Sequence, residues 1–261
     1  MMEKPIIVVE DGRITKVGRQ GELAVTDGKR IDLGALTILP GLIDMHVHLT
    51  SDPTLSGMQA LSYPSSFWTV LGTAMAKRTI DAGFTTVRNV GAADYADLAL
   101  KMAIERGAIP GPRIVPATYA IGATGGHCDS TFLPPSLEKK DGKEEGIGDT
   151  PEELRYQVRR QRKYGAMVIK VCATGGVFSH NTEPGQQQMT LAELTAAATE
   201  AHMWGLKVAA HAHGASGIAD AIRAGIDTIE HASMIDAEGI RLAVEHGTWL
   251  SMDIYNTDFT Q

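Results

Sequence analysis

The sequence has few of the features that mark several large classes of protein. Only two of its 261 residues are cysteines, Cys128 and Cys172, so we expect thiols rather than a disulfide scaffold. No apolar stretch approaches the roughly 18 residues of a membrane span, and the N-terminus has no apolar signal-peptide core. Basic residues are outnumbered 24 to 31 by acidic ones, which argues against nucleic acid or an anionic membrane as a partner. We therefore expect a soluble, cytoplasmic protein.

The composition is that of a globular protein, with 43% hydrophobic and 21% charged residues. Such a composition excludes disordered and collagen-like chains. Near the N-terminus, two β-type runs at 6–9 and 14–17 flank Asp11 and Gly12, a pair that is typical of hairpin turns. We expect a small β-element over residues 1–36 and a larger domain over residues 37–261.

Strand-like and helix-like segments alternate from residue 37 onward. The strand-like segments cover 38–49, 85–90, 113–118, 167–174, 206–213, 227–232 and 248–254. Amphipathic segments lie between them near 66–82, 94–106, 151–164, 190–203, 215–224 and 236–246. Repeated βα units predict a parallel sheet, either doubly wound or closed into a (β/α)₈ barrel of the TIM type. The count is seven strands, one fewer than a closed barrel of this type requires.

Two of the predicted connections are unusually long. They span residues 119–149 and 175–189, after the third and fourth strands, and both are rich in Gly, Pro and polar residues. Loops of this length are more often lids or substrate contacts than simple connections.

Two unusual side-chain patterns occur at the first and fourth strands. His46 and His48 are two residues apart on a strand and so point to the same face. They can hold one metal ion, or they can be two hydrogen-bonded polar residues at a strand end. Lys170 lies in an apolar run, where an unpaired ammonium is costly, so it must be neutralised, paired, chemically modified or reach solvent.

The fifth and sixth strands also end in histidine. His211 and His213 repeat the same spacing on the fifth strand, and His231 ends the sixth. Parallel α/β folds assemble their functional sites at the carboxyl ends of the strands. The joint pattern therefore predicts one site at this edge of the sheet.

These motifs resemble the amidohydrolase superfamily of (β/α)₈ metal hydrolases, and within it the Xaa-Pro dipeptidases (prolidases) and arginine/lysine carboxypeptidases. The likeness rests on PGLIDMHVH at 40–48, GGHCD at 125–129, Lys170, His211, His231 and LSMDIYN at 250–256. It implies a truncated barrel preceded by part of a small β-sandwich.

The resemblance implies a centre of two divalent metal ions, most simply Zn²⁺. His46 and His48 would hold the buried ion, and His211 and His231 the more exposed one. Lys170 would be carboxylated by CO₂ and would bridge the two, which accounts for a lysine inside an apolar strand. A hydroxide shared by the ions would act as nucleophile while the ions polarise the scissile carbonyl.

Other residues follow from the same likeness with less specific signals. His127 in the first long loop is expected to polarise the substrate carbonyl or to contact the substrate carboxylate. Tyr255, Arg88 and His180 are weaker candidates for substrate contacts. His213 is expected to lie behind the ligands, since the family uses the first histidine of that pair.

The sequence departs from the family pattern at its C-terminal end. Family members carry an aspartate at the end of an eighth strand, where it serves as a general acid and base. Asp253 and Asp258 do not occupy that place. We therefore expect a fragment whose barrel has two open edges, and which pairs with a copy of itself or with a complementing C-terminal segment.

Three functions remain open from the sequence. The first is a metal-dependent peptidase that cleaves dipeptides or N-acyl amino acids. The second is a ring-opening amidohydrolase of the imidazolonepropionase type, which uses one metal ion and which a bridging Lys170 disfavours. The third is a fragment that binds metal without turnover.

Overall fold

The computed structural model describes residues 2–25, 27–55, 57–137 and 142–252. The chain divides into two compact units, Met1–Pro40 and Gly41–Gln261. The boundary predicted from the sequence, after residue 36, lies a few residues before this division.

The smaller unit contains the predicted hairpin. Strands β1 (Pro5–Glu10) and β2 (Arg13–Arg19) pair antiparallel, with a register shift between Val8 and Val9. Asp11 and Gly12 both have positive φ, at 50° and 73°, as the two central residues of a type I′ turn must. The hairpin prediction is confirmed.

The described residues of the larger unit form seven parallel strands in two sheets. The first sheet has the order β3 (Leu42–Val47), β4 (Phe84–Asn89), β5 (Arg113–Pro116). The second has the order β6 (Val168–Cys172), β7 (Lys207–Ala212), β8 (Thr228–His231), β9 (Trp249–Ser251). Spatial order follows chain order throughout, as repeated βα units dictate. The sequence prediction of seven parallel strands is confirmed.

Helices connect these strands. They are α1 (Ser65–Asp81), α2 (Ala96–Glu105), α3 (Pro151–Tyr164), α4 (Leu191–Met203), α5 (Ala215–Arg223) and α6 (Ala237–His246), with short 3₁₀ helices at Gly57–Ser62 and Ala93–Tyr95. Local sequence sets their ends: Thr190 and Glu193 form a reciprocal capping box at α4, and Gly165 ends α3 in the left-handed conformation. Among the described residues, every helix is too short or too polar to cross a membrane.

Backbone hydrogen bonds join the two sheets along one seam. Met167 N donates to Pro116 O, and Ile121 N donates to Lys170 O. At the opposite sides, β3 and β9 are terminal strands of their sheets in the described part of the chain. Ile43 on β3 and Trp249 on β9 are exposed, at 61% and 78% of their surface. Within the described residues, the seven strands therefore form two parallel sheets joined at one seam, as expected of a truncated TIM-type barrel.

The core holds the strand ends in place. Its larger part lies between the second sheet and helices α3 to α6, where Ile169, Val171, Leu194, Ile222 and Ile229 are fully buried. Burial of such a side chain contributes about 1.5–3 kcal/mol. This packing fixes the carboxyl ends of β6, β7 and β8 at one level.

A disulfide ties the first long loop to this sheet. Cys128 in the loop after β5 and Cys172 at the end of β6 are bonded, with Cα atoms 5.9 Å apart. The expectation of two thiols was wrong because the loop folds back over the sheet, and a separation of 44 residues gives no sign of that proximity. Disulfides are rare in the cytosol, so the cytoplasmic location stays a prediction.

A buried polar network lies between α2, β4 and β5. Asp97 on α2 is fully buried and accepts hydrogen bonds from Thr118 N, Leu98 N and Asn89 Nδ2. Burial raises the pKa of Asp97 to about 6, although these three hydrogen bonds oppose the rise. Asn89 Oδ1 in turn accepts from Leu49 N, directly after His48.

Removal of the disulfide should destabilise the protein. Because the bond closes a long loop, we expect Cys128→Ser with Cys172→Ser to lower the free energy of unfolding by about 2–4 kcal/mol in urea titrations. Thiol titration of the denatured, unreduced protein should find no free thiol, and two after reduction. Two free thiols before reduction would contradict the bond.

Ionisation of Asp97 should make the folded state less stable as pH rises. The folded carboxyl, with a pKa of about 6 against an ordinary 3.8, binds more protons than the unfolded one between these values. The free energy of unfolding should therefore fall from pH 4 to pH 7, by up to about 3 kcal/mol from this group. The difference in stability between wild type and Asp97→Asn should therefore change over this range, and a constant difference would contradict the raised pKa of Asp97.

Candidate metal centre

The carboxyl ends of four strands bring the predicted ligands together. His46 lies on β3, Lys170 on β6, His211 on β7 and His231 at the end of β8. His48 follows β3 directly. The parallel register aligns them, since Cys172 pairs with His211, and Ala212 with His231.

The imidazole rings form a continuous cluster. Ring centroids are 5.4 Å apart for His46 and His48, 4.7 Å for His46 and His231, and 4.8 Å for His211 and His231. His231 has a φ of 69°, a left-handed conformation that costs a non-glycine residue about 1–3 kcal/mol. The backbone at the end of β8 is therefore strained where it presents this ring.

Hydrogen bonds to three of the rings fix which nitrogen carries the proton. His48 Nδ1 donates to Gly91 O at 3.1 Å, and His211 Nε2 donates to Gly175 O at 2.9 Å, because a carbonyl can only accept. His46 Nδ1 is bonded to Glu230 Oε2 at 2.9 Å. Each ring is left with its other nitrogen free of a proton, as is typical of metal-ligating histidines. The residues present therefore fit a metal ion.

Lys170 lies among these rings and is only 3% exposed. Its neighbours on the strand, Ile169 and Val171, are fully buried. Burial lowers the pKa of His211 well below its ordinary value, and the charges of His127 and Lys170 lower it further. Burial likewise lowers the pKa of His46, although its bond to Glu230 opposes the shift. Neutral imidazoles at physiological pH are the form that binds metal.

His213 lies beside His211 and His231. One nitrogen of each of His211, His213 and His231 lies within 4.8 Å of the others, so this trio could hold one ion. The His213 ring stacks on His231, with centroids 4.8 Å apart, and its Nδ1 is bonded to Ser233 Oγ at 2.9 Å. The position predicted for it behind the ligands stays a prediction.

His127 extends the cluster from the first long loop. Its ring stacks on His211 with centroids 4.1 Å apart, and its Nδ1 is bonded to Ser179 Oγ at 2.9 Å. Its backbone N donates to Gln188 Oε1. Burial and the nearby charge of Lys170 lower the pKa of His127 to about 4, so the ring is neutral at pH 7.

The two long loops are attached to each other above the strand ends. Besides the contacts of His127, His180 N donates to Thr131 Oγ1 and the His180 ring contacts Phe132. The His127 ring also lies against Gly176, where a Cβ would come within 2.3 Å of it. The loops therefore hold His127 in one place.

The three weaker candidates for substrate contacts differ in where they lie. His180 is exposed on the second long loop, and Tyr255 lies outside the described residues. Arg88 is 5% exposed, and its Nε, Nη1 and Nη2 donate to Met45 O, Thr228 Oγ1 and Glu230 Oε1. Their roles in substrate binding stay predictions.

Glu230 was missed by the sequence reasoning. It is fully buried on β8, next to His231. Burial would raise its pKa, but the hydrogen bond from His46 and the charge of Arg88 lower the pKa to about 2. The sequence feature that could have identified it is a glutamate inside a predicted strand of the sheet, because a carboxylate buried there must be paired.

Comparison with known proteins identifies the family of this chain. The model of the amidohydrolase family matches residues 37–260. Ochratoxinase of Aspergillus niger is 34% identical over 230 residues, which cover 80% of this chain and 46% of the relative. The chain thus spans about half the length of this curated relative.

Solved structures agree with this relationship. A Xaa-Pro dipeptidase with bound methionine in the active site superposes with a TM-score of 0.86 at 36% identity, over 94% of this chain and 60% of that chain. A prolidase complexed with N-methylphosphonate-L-proline superposes with a TM-score of 0.83 at 30% identity and the same coverage. The chain belongs to the amidohydrolase family, with prolidase-like relatives.

Proposed function

We propose that the chain carries the metal-binding part of a hydrolase that cleaves the peptide or amide bond of dipeptides or N-acyl amino acids. The observation that carries the proposal is the convergence of four histidines and a buried lysine from four strands, with outward hydrogen bonds that fix three of the rings. The names of the relatives, ochratoxinase and Xaa-Pro dipeptidase, support the class of bond.

We assign the proposed metal ligands according to the strands that carry them. His46 and His48, both on the β3 side, would hold one divalent ion, and His211 and His231, on β7 and β8, the other. Zn²⁺ suits this donor set. When bound, such ions supply an activated water and polarise a carbonyl group.

Lys170 would join the two sides after carboxylation. Its neutral Nζ would attack CO₂, form an N–C bond and release a proton, so that the side chain becomes an anion with two oxygen donors. Burial favours the neutral amine that this reaction needs. The product would also remove the cost of a buried ammonium among four imidazoles.

His127 would act on the substrate side of the centre. Its neutral ring lies beside His211, where a scissile carbonyl or a terminal carboxylate would approach. The bond to Ser179 and the contact with Gly176 orient the ring before a substrate binds. An oriented donor of this kind stabilises developing negative charge without reorganisation.

One observation favours a second candidate function. The trio of His211, His213 and His231 could hold a single ion without Lys170. That arrangement would suit a one-metal amidohydrolase of the imidazolonepropionase type. A stoichiometry near one ion per chain, unchanged by substitution of Lys170, would decide for it.

Replacement of Lys170 should remove the bridge. We expect wild type to bind two ions per chain and Lys170→Met to bind fewer. The variant should also lower kcat/KM on a dipeptide panel by about 100-fold or more, since metal assistance supplies several kcal/mol. A carbamate signal should appear in ¹³C NMR of wild type supplied with ¹³C-bicarbonate, and should be missing from the variant.

Lys207→Met is the matched control, because Lys207 lies on the adjacent strand but is exposed and paired with Asp227. It should keep the metal, the activity and the signal. Two bound ions without any turnover would instead support a fragment that binds metal without catalysis.

Displacement of His127 should impair catalysis without loss of metal. Gly176→Ala places a Cβ within 2.3 Å of the His127 ring, so the ring must move. We expect kcat/KM to fall by about 100-fold, the cost of a misplaced catalytic group. Metal content should stay at the wild-type value.

Gly185→Ala provides the control on the same loop, since its Cβ would find only Met234 Sδ at 3.7 Å. It should leave kcat/KM unchanged. Equal activity of Gly176→Ala and Gly185→Ala would rule out a catalytic role for the observed position of His127.

A further inference from the structure

A buried carboxylate is hydrogen-bonded to His46, one of the proposed metal ligands. Glu230 on β8 has no exposed surface, and both of its oxygens accept hydrogen bonds. Oε2 lies 2.9 Å from His46 Nδ1, while Oε1 accepts from Arg88 Nη2 at 2.6 Å and from Thr228 Oγ1 at 2.7 Å. A carboxylate is an acceptor only, so the proton of the His46 bond lies on Nδ1.

Arg88 connects this carboxylate to the strand that carries His46. Its Nη2 donates to Glu230, and its Nε donates to Met45 O, the residue before His46, at 2.6 Å. Its Nη1 donates to Thr228 Oγ1 at 2.9 Å. The guanidinium on β4 thus links β3 in the first sheet to β8 in the second.

We propose that Glu230 is a positioning residue, which holds His46 in the Nδ1–H form and aims its Nε2 at the metal centre, with Arg88 holding Glu230 in turn. The inference rests on the proposed metal site. It assigns to Arg88 a supporting role in place of a substrate contact.

The network specifically requires a carboxylate at position 230. Donors from His46, Arg88 and Thr228 converge on its two oxygens. A glutamine of the same shape has one acceptor oxygen, so its NH₂ group would face either the imidazole N–H or the guanidinium. A buried donor left without an acceptor is costly, and the ring would turn or change tautomer to relieve it.

The test compares two buried glutamates that each pair with an arginine, Arg88 being buried and Arg159 exposed. Glu230→Gln breaks the proposed support. Glu200→Gln breaks a pair between α3 and α4, where Glu200 is 3% exposed and accepts from Arg159 and Trp204. Both substitutions remove a buried charge that is paired with arginine, but only the first contacts a proposed ligand.

We expect Glu230→Gln to weaken Zn²⁺ binding, measured by chelator competition, by about 10–100-fold, as substitution of a ligand's outer partner typically does. Glu200→Gln should bind Zn²⁺ as wild type does. Thermal melts of both variants measure how much each substitution destabilises the fold. A loss of Zn²⁺ affinity in Glu230→Gln but not in Glu200→Gln would therefore reflect the position of His46 and not a general loss of stability. Equal Zn²⁺ affinity of folded Glu230→Gln and wild type would overturn the proposal.

A second readout does not depend on metal. In ¹⁵N-histidine-labelled metal-free protein, His46 should show a protonated, hydrogen-bonded Nδ1, assigned by its loss in His46→Asn. The signal should be lost or shifted in Glu230→Gln and kept in Glu200→Gln. An unchanged His46 signal in Glu230→Gln would also overturn the proposal.

Thr228→Val is a milder variant for use if Glu230→Gln fails to fold. It removes one donor to Glu230 and the acceptor of Arg88 Nη1 with little change of shape, and should shift the His46 signal in the same direction. No shift in this variant would count against the proposal. Wild type that binds no Zn²⁺ but shows the His46 signal would refute the proposed function and leave the positioning role intact.

Discussion

The buried Lys170 on β6 is the constraint on which the arrangement of the site depends. Its neighbours on the strand contribute to the core, so its side chain cannot leave the interior without breaking that packing. A charge in such a place must be compensated. Four imidazoles and the Glu230 carboxylate lie around it, and its charge shifts the pKa of His46, His48, His127 and Glu230. The metal centre proposed above would make use of this arrangement.

Rigid surroundings keep the cluster in one geometry. Strand register aligns the proposed ligands, and the hydrogen bonds to Glu230, Gly91 and Gly175 orient individual rings. Above the strand ends, hydrogen bonds join the two long loops to each other, and the Cys128–Cys172 bond ties the first loop to β6. In this arrangement His127 stacks on His211. The site is thus fixed both by the sheet and by the loops that cover it.

Much of this architecture could be predicted from the sequence because it depends on local rules. Period-two and helical patterns, capping residues and glycines at helix ends predicted seven strands and their connecting helices. The spacing of His46 and His48, and the lysine in an apolar strand, predicted the site, since side chains at the carboxyl ends of parallel strands must converge. His211 and His231 followed by the same argument.

Contacts between distant segments could not be predicted in this way. Arg88 and Glu230 are 142 residues apart in the sequence, and the two cysteines are 44 apart. Contacts over such separations produce no periodic pattern in the sequence. For that reason Glu230 was missed, and the two cysteines were wrongly expected to be thiols. The sequence by itself determined the order of the strands and which residues end them, because these follow from backbone and side-chain periodicity. Only the tertiary structure decided which nitrogen each imidazole presents, what neutralises Glu230 and where His127 lies, because these depend on neighbours that the folded sheet alone brings together.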